Sequence, residues 1–203
     1  MNVIDTIYSK SFIELNEEQK EKAIDVMREL DRHDSDPFWA QLINEDKQEL
    51  MNNEYGFTDA VIHYSGFCSQ GDGASISTES IDAETFLRKI KAWSKFRVLH
   101  KHFNDGTITL KIERNDHRYS HENTVSGVVD LDYYTEFTAK QEEKAEELET
   151  LLTETIRDLS RQHYQELSDE NDYQNSDEAL IESINANDYN FKVNSTGNVL
   201  GLA

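Results

Sequence analysis

The sequence has one cysteine, Cys68, and one proline, Pro37, among its 203 residues. A single cysteine excludes an internal disulfide and is typical of a protein from a reducing compartment. No apolar run approaches the roughly 18 residues that a membrane-spanning helix needs. The N-terminus also lacks the basic stretch and apolar run of a signal peptide. We therefore expect a soluble cytoplasmic protein.

Positive charge is scarce as well. The chain has 20 Lys and Arg against 41 Asp and Glu, which gives a formal net charge of −21. A charge of this size repels nucleic acid and anionic membranes, so it argues against direct binding to either. Nine Phe, nine Tyr and two Trp argue against a disordered chain. We expect a single α+β domain over residues 1–203, with 171–203 as an appendage of a short helix and a terminal hairpin.

Helix starts are marked by capping residues. Asn16 with Gln19 and Thr138 with Gln141 fit the capping-box pattern, in which two side chains satisfy the first free backbone N–H groups. Asp36 before Pro37, Asp82 and Ser176 are further N-cap candidates. Apolar residues at helical spacing follow each cap. The predicted helices cover residues 17–31, 37–52, 82–103 and 138–167, then a short helix after 176 that follows a polar linker at 168–175.

A glycine-rich stretch at residues 64–75 predicts a β-hairpin. It contains three of the eight glycines, Gly66, Gly71 and Gly73. The pair Asp72-Gly73 lies between β-branched and aromatic flanks, which is the strongest short hairpin signal. We expect the tip to run from Ser69 to Gly73, with Gly71 and Gly73 as structural turn residues. Positive φ at Gly73 would make Gly73→Val cost about 1 kcal/mol or more.

Further alternating stretches predict strands at 107–113 and 118–131 and a terminal hairpin at 189–200. Paired strands between helices indicate an α+β fold, an antiparallel sheet of hairpins packed by several helices. The longest helix begins an acidic region. Fifteen Asp or Glu and three Lys or Arg lie from Gln141 to Asn190. We therefore expect one long acidic C-terminal helix.

Lysine and arginine are concentrated on one predicted helix, whose other face is apolar. We expect these cations to lie near the acidic long helix, and the alternative is a nucleic-acid patch. The residues concerned are Arg88, Lys89, Lys91, Lys95, Arg97 and Lys101.

Candidate catalytic patterns are weak. The glycine-rich loop lacks the lysine and the following helix of a phosphate loop, and Asp72 would repel phosphate. Cys68 has no neighbour in sequence that would lower its pKa, so we interpret it as a small buried hydrophobic residue. His117 and His121 have the i, i+4 spacing of zinc ligands on a helix, but this stretch reads as turn and strand. We assign no catalytic residue, metal or cofactor.

Residues 66–74 read Gly-Phe-Cys-Ser-Gln-Gly-Asp-Gly-Ala. They resemble the Gly-Phe-Trp-Ser-Gln-Gly-Asp-Gly-Ala motif of a family of small bacteriophage and prophage proteins, some of which are labelled antitoxin-like. Residues 15–24, 118–122, 176–180 and 186–191 resemble the same family in the same order. The resemblance implies a phage gene product that acts inside a bacterium, and it supplies no reaction. Cys68 stands where the family tends to have tryptophan, so a contact made by that tryptophan would be lost here.

Three function hypotheses follow. The first is a non-catalytic accessory protein that binds and inhibits a host or anti-phage defence macromolecule, in one version by an acidic surface that mimics DNA. The second is an antitoxin-type partner of a cognate toxin. The third is a small-molecule or metal-dependent enzyme that uses the hairpin and the strand at 118–121. We expect the partner-binding residues to be Ser69, Gln70, Asp72, Glu142, Glu146 and Glu149.

Overall fold

The computed structural model describes residues 6–32, 37–67 and 69–203. In chain order the elements are β1 (Tyr8–Ser11), α1 (Glu17–Arg32), α2 (Phe38–Tyr55), β2 (Phe57–Thr58), β3 (Val61–Ser65), β4 (Gly73–Ile81), α3 (Ala83–Lys89), α4 (His100–Asn104), β5 (Ile108–Arg114), β6 (Val125–Leu131), α5 (Ala139–Gln174), α6 (Asp177–Ala186), β7 (Asn190–Val193) and β8 (Val199–Leu202). Helices and antiparallel strands confirm the α+β class. The cap predicted at Asp36 and the buried position predicted for Cys68 lie outside the described residues.

The chain divides into two compact units, one formed by Met1–Pro37 with Asp169–Ala203 and the other by Phe38–Ser168. The first unit therefore combines both ends of the chain, including the segment 171–203 that we predicted as an appendage. The second unit contains the hairpin and most of α5. That the whole chain folds as one domain stays a prediction.

The first unit is a three-stranded antiparallel sheet in the order β1-β7-β8, with α1 and α6. Its core includes Phe12 and Phe191, whose ring centroids are 6.3 Å apart. The predicted capping box at the start of α1 is confirmed. The Asn16 N–H donates to Gln19 Oε1 at 3.1 Å, and the Gln19 N–H donates to Asn16 Oδ1 at 2.9 Å.

The second unit is built on the antiparallel order β2-β4-β5-β6, with β3 also paired to β4. Helix α5 buries Leu148, Leu152 and Ile156 in the core of this unit. Gly127 on β6 allows the close approach, because a Cβ at that position would lie 2.6 Å from Leu152 Cγ. The capping box predicted for α5 is half formed. The Thr138 N–H donates to Gln141 Oε1 at 2.9 Å, but the Gln141 N–H bonds to the Thr138 carbonyl oxygen and not to its hydroxyl. None of the helices in the described ranges has both the length and the apolar composition that crossing a bilayer requires.

Three element predictions are wrong. The predicted helix at 82–103 is broken into α3, a 3₁₀ segment at Trp93–Leu99 and α4, with Lys91 at φ 60° between the first two. The predicted return strand at 118–131 begins only at Val125. The predicted linker at 168–175 is helical as far as Gln174, because α5 continues through it.

Candidate functional site

The predicted β3–β4 hairpin is present. Its loop lies between the paired Ser65 and Gly73, so it starts earlier than the predicted tip of Ser69 to Gly73 and ends before Gly73, and its described residues are 66, 67 and 69–72. The Asp72 carboxylate closes this tip from inside. It accepts hydrogen bonds from the Ser69 N–H at 2.6 Å and from the Ser69 Oγ–H at 2.8 Å. Both residues are predicted to contact a partner, and in the folded loop they also bond to each other, as Asp and Ser commonly do in turns.

The two turn glycines have different roles. Gly71 has φ +106°, a conformation that favours glycine, so its assignment as a structural turn residue is confirmed. The positive φ expected at Gly73 is wrong, because Gly73 begins β4 with no left-handed φ. Gly73 is constrained by space instead. A Cβ there would lie 2.5 Å from His121 Cα, which is closer than real contacts allow.

The hairpin tip packs against residues 116–121, which we call the bracing loop. The Ser120 N–H donates to the Gly71 carbonyl oxygen at 3.2 Å. A Cβ on Gly71 would lie 2.1 Å from Cδ1 of the Tyr119 ring, so that ring occupies the space beside the glycine. The Arg118 guanidinium lies over the same ring, 5.3 Å from its centroid. The bracing loop and the glycine-rich stretch, 40 to 50 residues apart in sequence, therefore form one structural unit.

A His–Arg contact lies beneath the bracing loop. Arg114 Nη1 donates to His63 Nδ1 at 3.0 Å, and Arg114 Nη2 donates to the Tyr119 carbonyl oxygen at 2.7 Å. A guanidinium can only donate, so His63 Nδ1 accepts and its Nε2–H donates to Ser77 Oγ at 2.8 Å. Burial, followed by the electrostatic effects of Arg114 and His117, lowers the pKa of His63. Because Nδ1 accepts a hydrogen bond from the Arg114 guanidinium, this contact requires the neutral imidazole.

Aromatic contacts hold the other side of the hairpin to α5. The Phe67 ring stacks on Tyr164 with centroids 5.3 Å apart, and Tyr64 contacts Phe67 at 5.7 Å. The Tyr164 hydroxyl donates to the Gly66 carbonyl oxygen at 3.1 Å. Buried Ala74 completes this cluster with residues of α2 and α5. The tip is therefore fixed from two sides, by the bracing loop and by α5.

The six predicted partner-binding residues fall into two places. Gln70 is exposed at the tip, whereas Glu142 and Glu146 are exposed near the start of α5. Glu149 is exposed too, but its Oε2 accepts a hydrogen bond from the Val129 N–H at 3.1 Å. The distance along α5 from Tyr164, beside the tip, to Glu146 is about 27 Å at about 1.5 Å per residue. The structure does not bring the tip and these carboxylates together.

A second titratable cluster, which sequence reasoning missed, lies between α2 and α5. His163 is fully buried, and its Nε2 contacts Asn44 Oδ1 at 2.7 Å. Lys47 is 9% exposed and pairs with Glu166 at 2.9 Å, while Glu166 lies 3.4 Å from His163 Nδ1. Burial, then the charge of Lys47, lowers the pKa of His163 to about 4. A signal existed, because His163 continues the apolar face of Leu152 and Ile156.

The basic residues at 88–101 are partly neutralised. Lys95 pairs with Glu147 of α5 at 2.7 Å, which confirms for this residue the predicted contact with the long helix. Arg88 pairs with Glu84 at 2.7 Å and Lys89 with Glu54, so these two are neutralised by other elements. Half of the predicted patch is therefore paired with carboxylates.

His117 and His121 do not lie on the helix that a zinc pair with their spacing would need. Both lie in the bracing loop, and His121 Nδ1 accepts a hydrogen bond from the Asn123 N–H at 3.2 Å. Within the described ranges, no group of three or more His, Cys, Asp or Glu is placed to hold a metal ion.

Comparison with known proteins gives one match. Residues 39–177 match the family model of a domain of unknown function, DUF8835. The matched region contains the hairpin, the bracing loop and α5. No curated protein and no solved structure matches the chain.

Proposed function

We propose that the chain, which belongs to the DUF8835 family, is a phage-encoded, non-catalytic accessory protein of the bacterial cytoplasm. Its role is to bind and inhibit a macromolecule of the host or of an anti-phage defence system. One observation carries the proposal. The hairpin tip is fixed by the bracing loop and by α5, and it presents Gln70 to solvent.

The rigidity of the tip supports recognition. A loop that is already fixed in its bound conformation loses little conformational entropy on binding, so more of the contact energy appears as affinity. Here Gly71 and Gly73 leave no room for a Cβ, and the Asp72 carboxylate closes the turn on Ser69. A tip held in this way suits shape recognition by a protein partner.

The acidic surface has a different role. Exposed carboxylates such as Glu142 and Glu146 attract a basic partner and raise its association rate, but salt screens them beyond about 10 Å at 0.1 M. Along α5, Glu146 lies about 27 Å and Glu142 about 33 Å from the tip contact at Tyr164. We therefore assign complex lifetime to the tip and association rate to the acidic helix. In the DNA-mimic version of this proposal, the acidic surface of α5 would occupy a partner's groove that normally accepts nucleic acid.

An antitoxin-type partner of a cognate toxin is the nearest alternative, and it would use the same surfaces.

An enzyme or small-molecule binder is favoured by a separate observation. Arg114 Nε is buried and has no hydrogen-bond partner among the described residues, in the cluster that holds His63. Turnover of a nucleotide or peptide by the purified chain, lost on His121→Ala or Cys68→Ala, would replace the binding proposal with this one.

The tip is tested by Gln70→Ala against a partner captured from the bacterial host and identified by mass spectrometry. We expect the dissociation rate to rise about tenfold, equivalent to about 1.4 kcal/mol, with the association rate unchanged. Surface plasmon resonance measures both rates. Gln48→Ala, an exposed glutamine on α2, is the matched control and should keep the wild-type rates. Equal dissociation rates for wild type and Gln70→Ala would place the contact elsewhere.

The acidic helix is tested by the pair Glu142→Gln and Glu146→Gln. Glu149 is left intact, because its hydrogen bond to the Val129 N–H would be altered too. We expect the pair to lower the association rate several-fold at low salt and to flatten its salt dependence. A control with the same loss of charge on α2, Glu45→Gln with Asp46→Asn, should change the rate less. A rate that depends only on total charge would count against a local role for α5.

A further inference from the structure

Two neighbouring tyrosines are almost fully exposed on the connection between β6 and α5. Tyr133 and Tyr134 each retain 91% of their accessible surface. Their ring centroids are 5.4 Å apart and the rings meet edge to face. Among the described residues, no other large hydrophobic side chain is as exposed as these two. Rings with this exposure bury little apolar surface against the rest of the chain, so they add little to its stability and are available to a partner.

The tyrosines are carried by an ordered segment, residues 132–138, which we call the tyrosine loop. At its start the Asp132 N–H donates to the Thr107 carbonyl oxygen at 2.9 Å, and the Thr135 Oγ–H donates to Asp132 Oδ2 at 2.7 Å. At its end the Phe137 ring packs on His102 with centroids 4.8 Å apart. Both ends are thus tied to the body of the second unit, which presents the two rings at low entropic cost.

The surroundings of the tyrosine loop are acidic. The segment from Asp130 to Glu149 contains eight Asp or Glu and two Lys. One of these lysines, Lys144, pairs with Glu147. Such a surface repels nucleic acid and attracts the basic surface of another protein. Tyrosine is among the residues that contribute most to protein interfaces, because its ring is rigid and amphipathic.

We propose that the tyrosine loop, with the exposed carboxylates Glu142 and Glu146, docks into the basic groove of a partner protein that binds single-stranded nucleic acid. Such grooves combine Lys and Arg for phosphates with aromatic or apolar surfaces on which bases stack. The two phenol rings take the places of two unstacked bases, and the carboxylates take those of phosphates. This inference rests on the proposed function and names the chemistry of its partner.

The whole chain, immobilised, is incubated with nuclease-treated bacterial lysate, and the bound protein is then challenged with an excess of a single-stranded thymidine oligonucleotide. We expect the oligonucleotide to release the wild-type capture. The double variant Tyr133→Ser with Tyr134→Ser should retain at least tenfold less of the captured protein than wild type does. Its melting temperature should match wild type, because both rings are exposed. Phe38→Ser, which alters another exposed aromatic residue, should capture as wild type does.

The outcomes separate this inference from the proposed function. Equal capture by the double variant overturns the inference, and so does a captured protein that the oligonucleotide does not release. If Gln70→Ala still shortens the lifetime of the complex in either case, the proposed function survives. Direct binding of the labelled oligonucleotide by the purified chain would overturn the inference in another way, since the surface would then accept nucleic acid itself.

Discussion

Gly73→Ala is expected to lower the free energy of unfolding by about 1–3 kcal/mol, the range of a substitution that overpacks a buried site. The added Cβ would lie 2.5 Å from Cα and 2.8 Å from Cβ of His121. A backbone atom cannot turn aside as the end of a flexible side chain can, so either the bracing loop or β4 must shift. Urea unfolding followed by circular dichroism measures the loss. Hydrogen exchange of the β3 and β4 amides locates it.

Gly66→Ala is the matched control in the same hairpin. A Cβ at Gly66 would meet only Asp72 Oδ2, at 4.0 Å, and this glycine has no left-handed φ. We expect its effect to stay within about 0.5 kcal/mol, as for surface substitutions in general. If Gly73→Ala were as stable as Gly66→Ala, the close packing of the hairpin on the bracing loop would be refuted.

The sequence predicted best what depends on neighbouring residues. The capping pair Asn16 and Gln19, and the serine cap Ser176, set helix starts within one turn of chain, so their residue types are sufficient evidence. The hairpin between β3 and β4 was found for the same reason. Its strands are adjacent in sequence, and the turn residues between them define the reversal.

The errors occur where no residue type nearby marks the change in structure. Apolar spacing continues from Phe86 to Leu99, so it predicted one helix. The helix ends before Lys91, which has φ 60°, although no glycine or proline nearby indicates a helix end. Strand β1 was missed because its partner, β7, lies more than 170 residues away, with Tyr8 opposite Val193. Neither event leaves a local signature.

The candidate site was only half visible in the sequence. The tip and the segment 118–121 were both identified, but as separate features. Gly73 was explained by a turn conformation, although the Cα of His121 is what excludes a larger residue. That Asp72 contacts a partner stays a prediction, and the sequence did not show that its carboxylate accepts from Ser69 within the loop. Side-chain direction at a turn depends on which donors the folded loop supplies, and composition does not record that.

Acidification should destabilise the second unit through His163. The pKa of this imidazole is about 4 in the folded chain against an ordinary value of 6.5. Between these values the unfolded chain binds a proton that the folded chain does not, so stability falls as the pH falls through this window. At about 1.4 kcal/mol for each pH unit, the loss reaches about 2–3 kcal/mol near pH 4 and is complete below it. Urea unfolding at pH 7, 6, 5 and 4 measures the trend.

His163→Gln isolates this contribution, because an amide can still donate to Asn44 Oδ1 but does not titrate. All other ionisable groups are common to the wild type and the variant. From pH 7 to pH 4 the wild type should therefore lose about 2–3 kcal/mol more of its free energy of unfolding than the variant does. Leu167→Val, one turn further on α5, is the control for lost packing. It should cost about 1 kcal/mol and keep the wild-type pH dependence. If stability depended on pH in the same way for wild type and His163→Gln, the imidazole would be protonated equally in the folded and unfolded chains. Lys47 would then have no part in keeping it neutral.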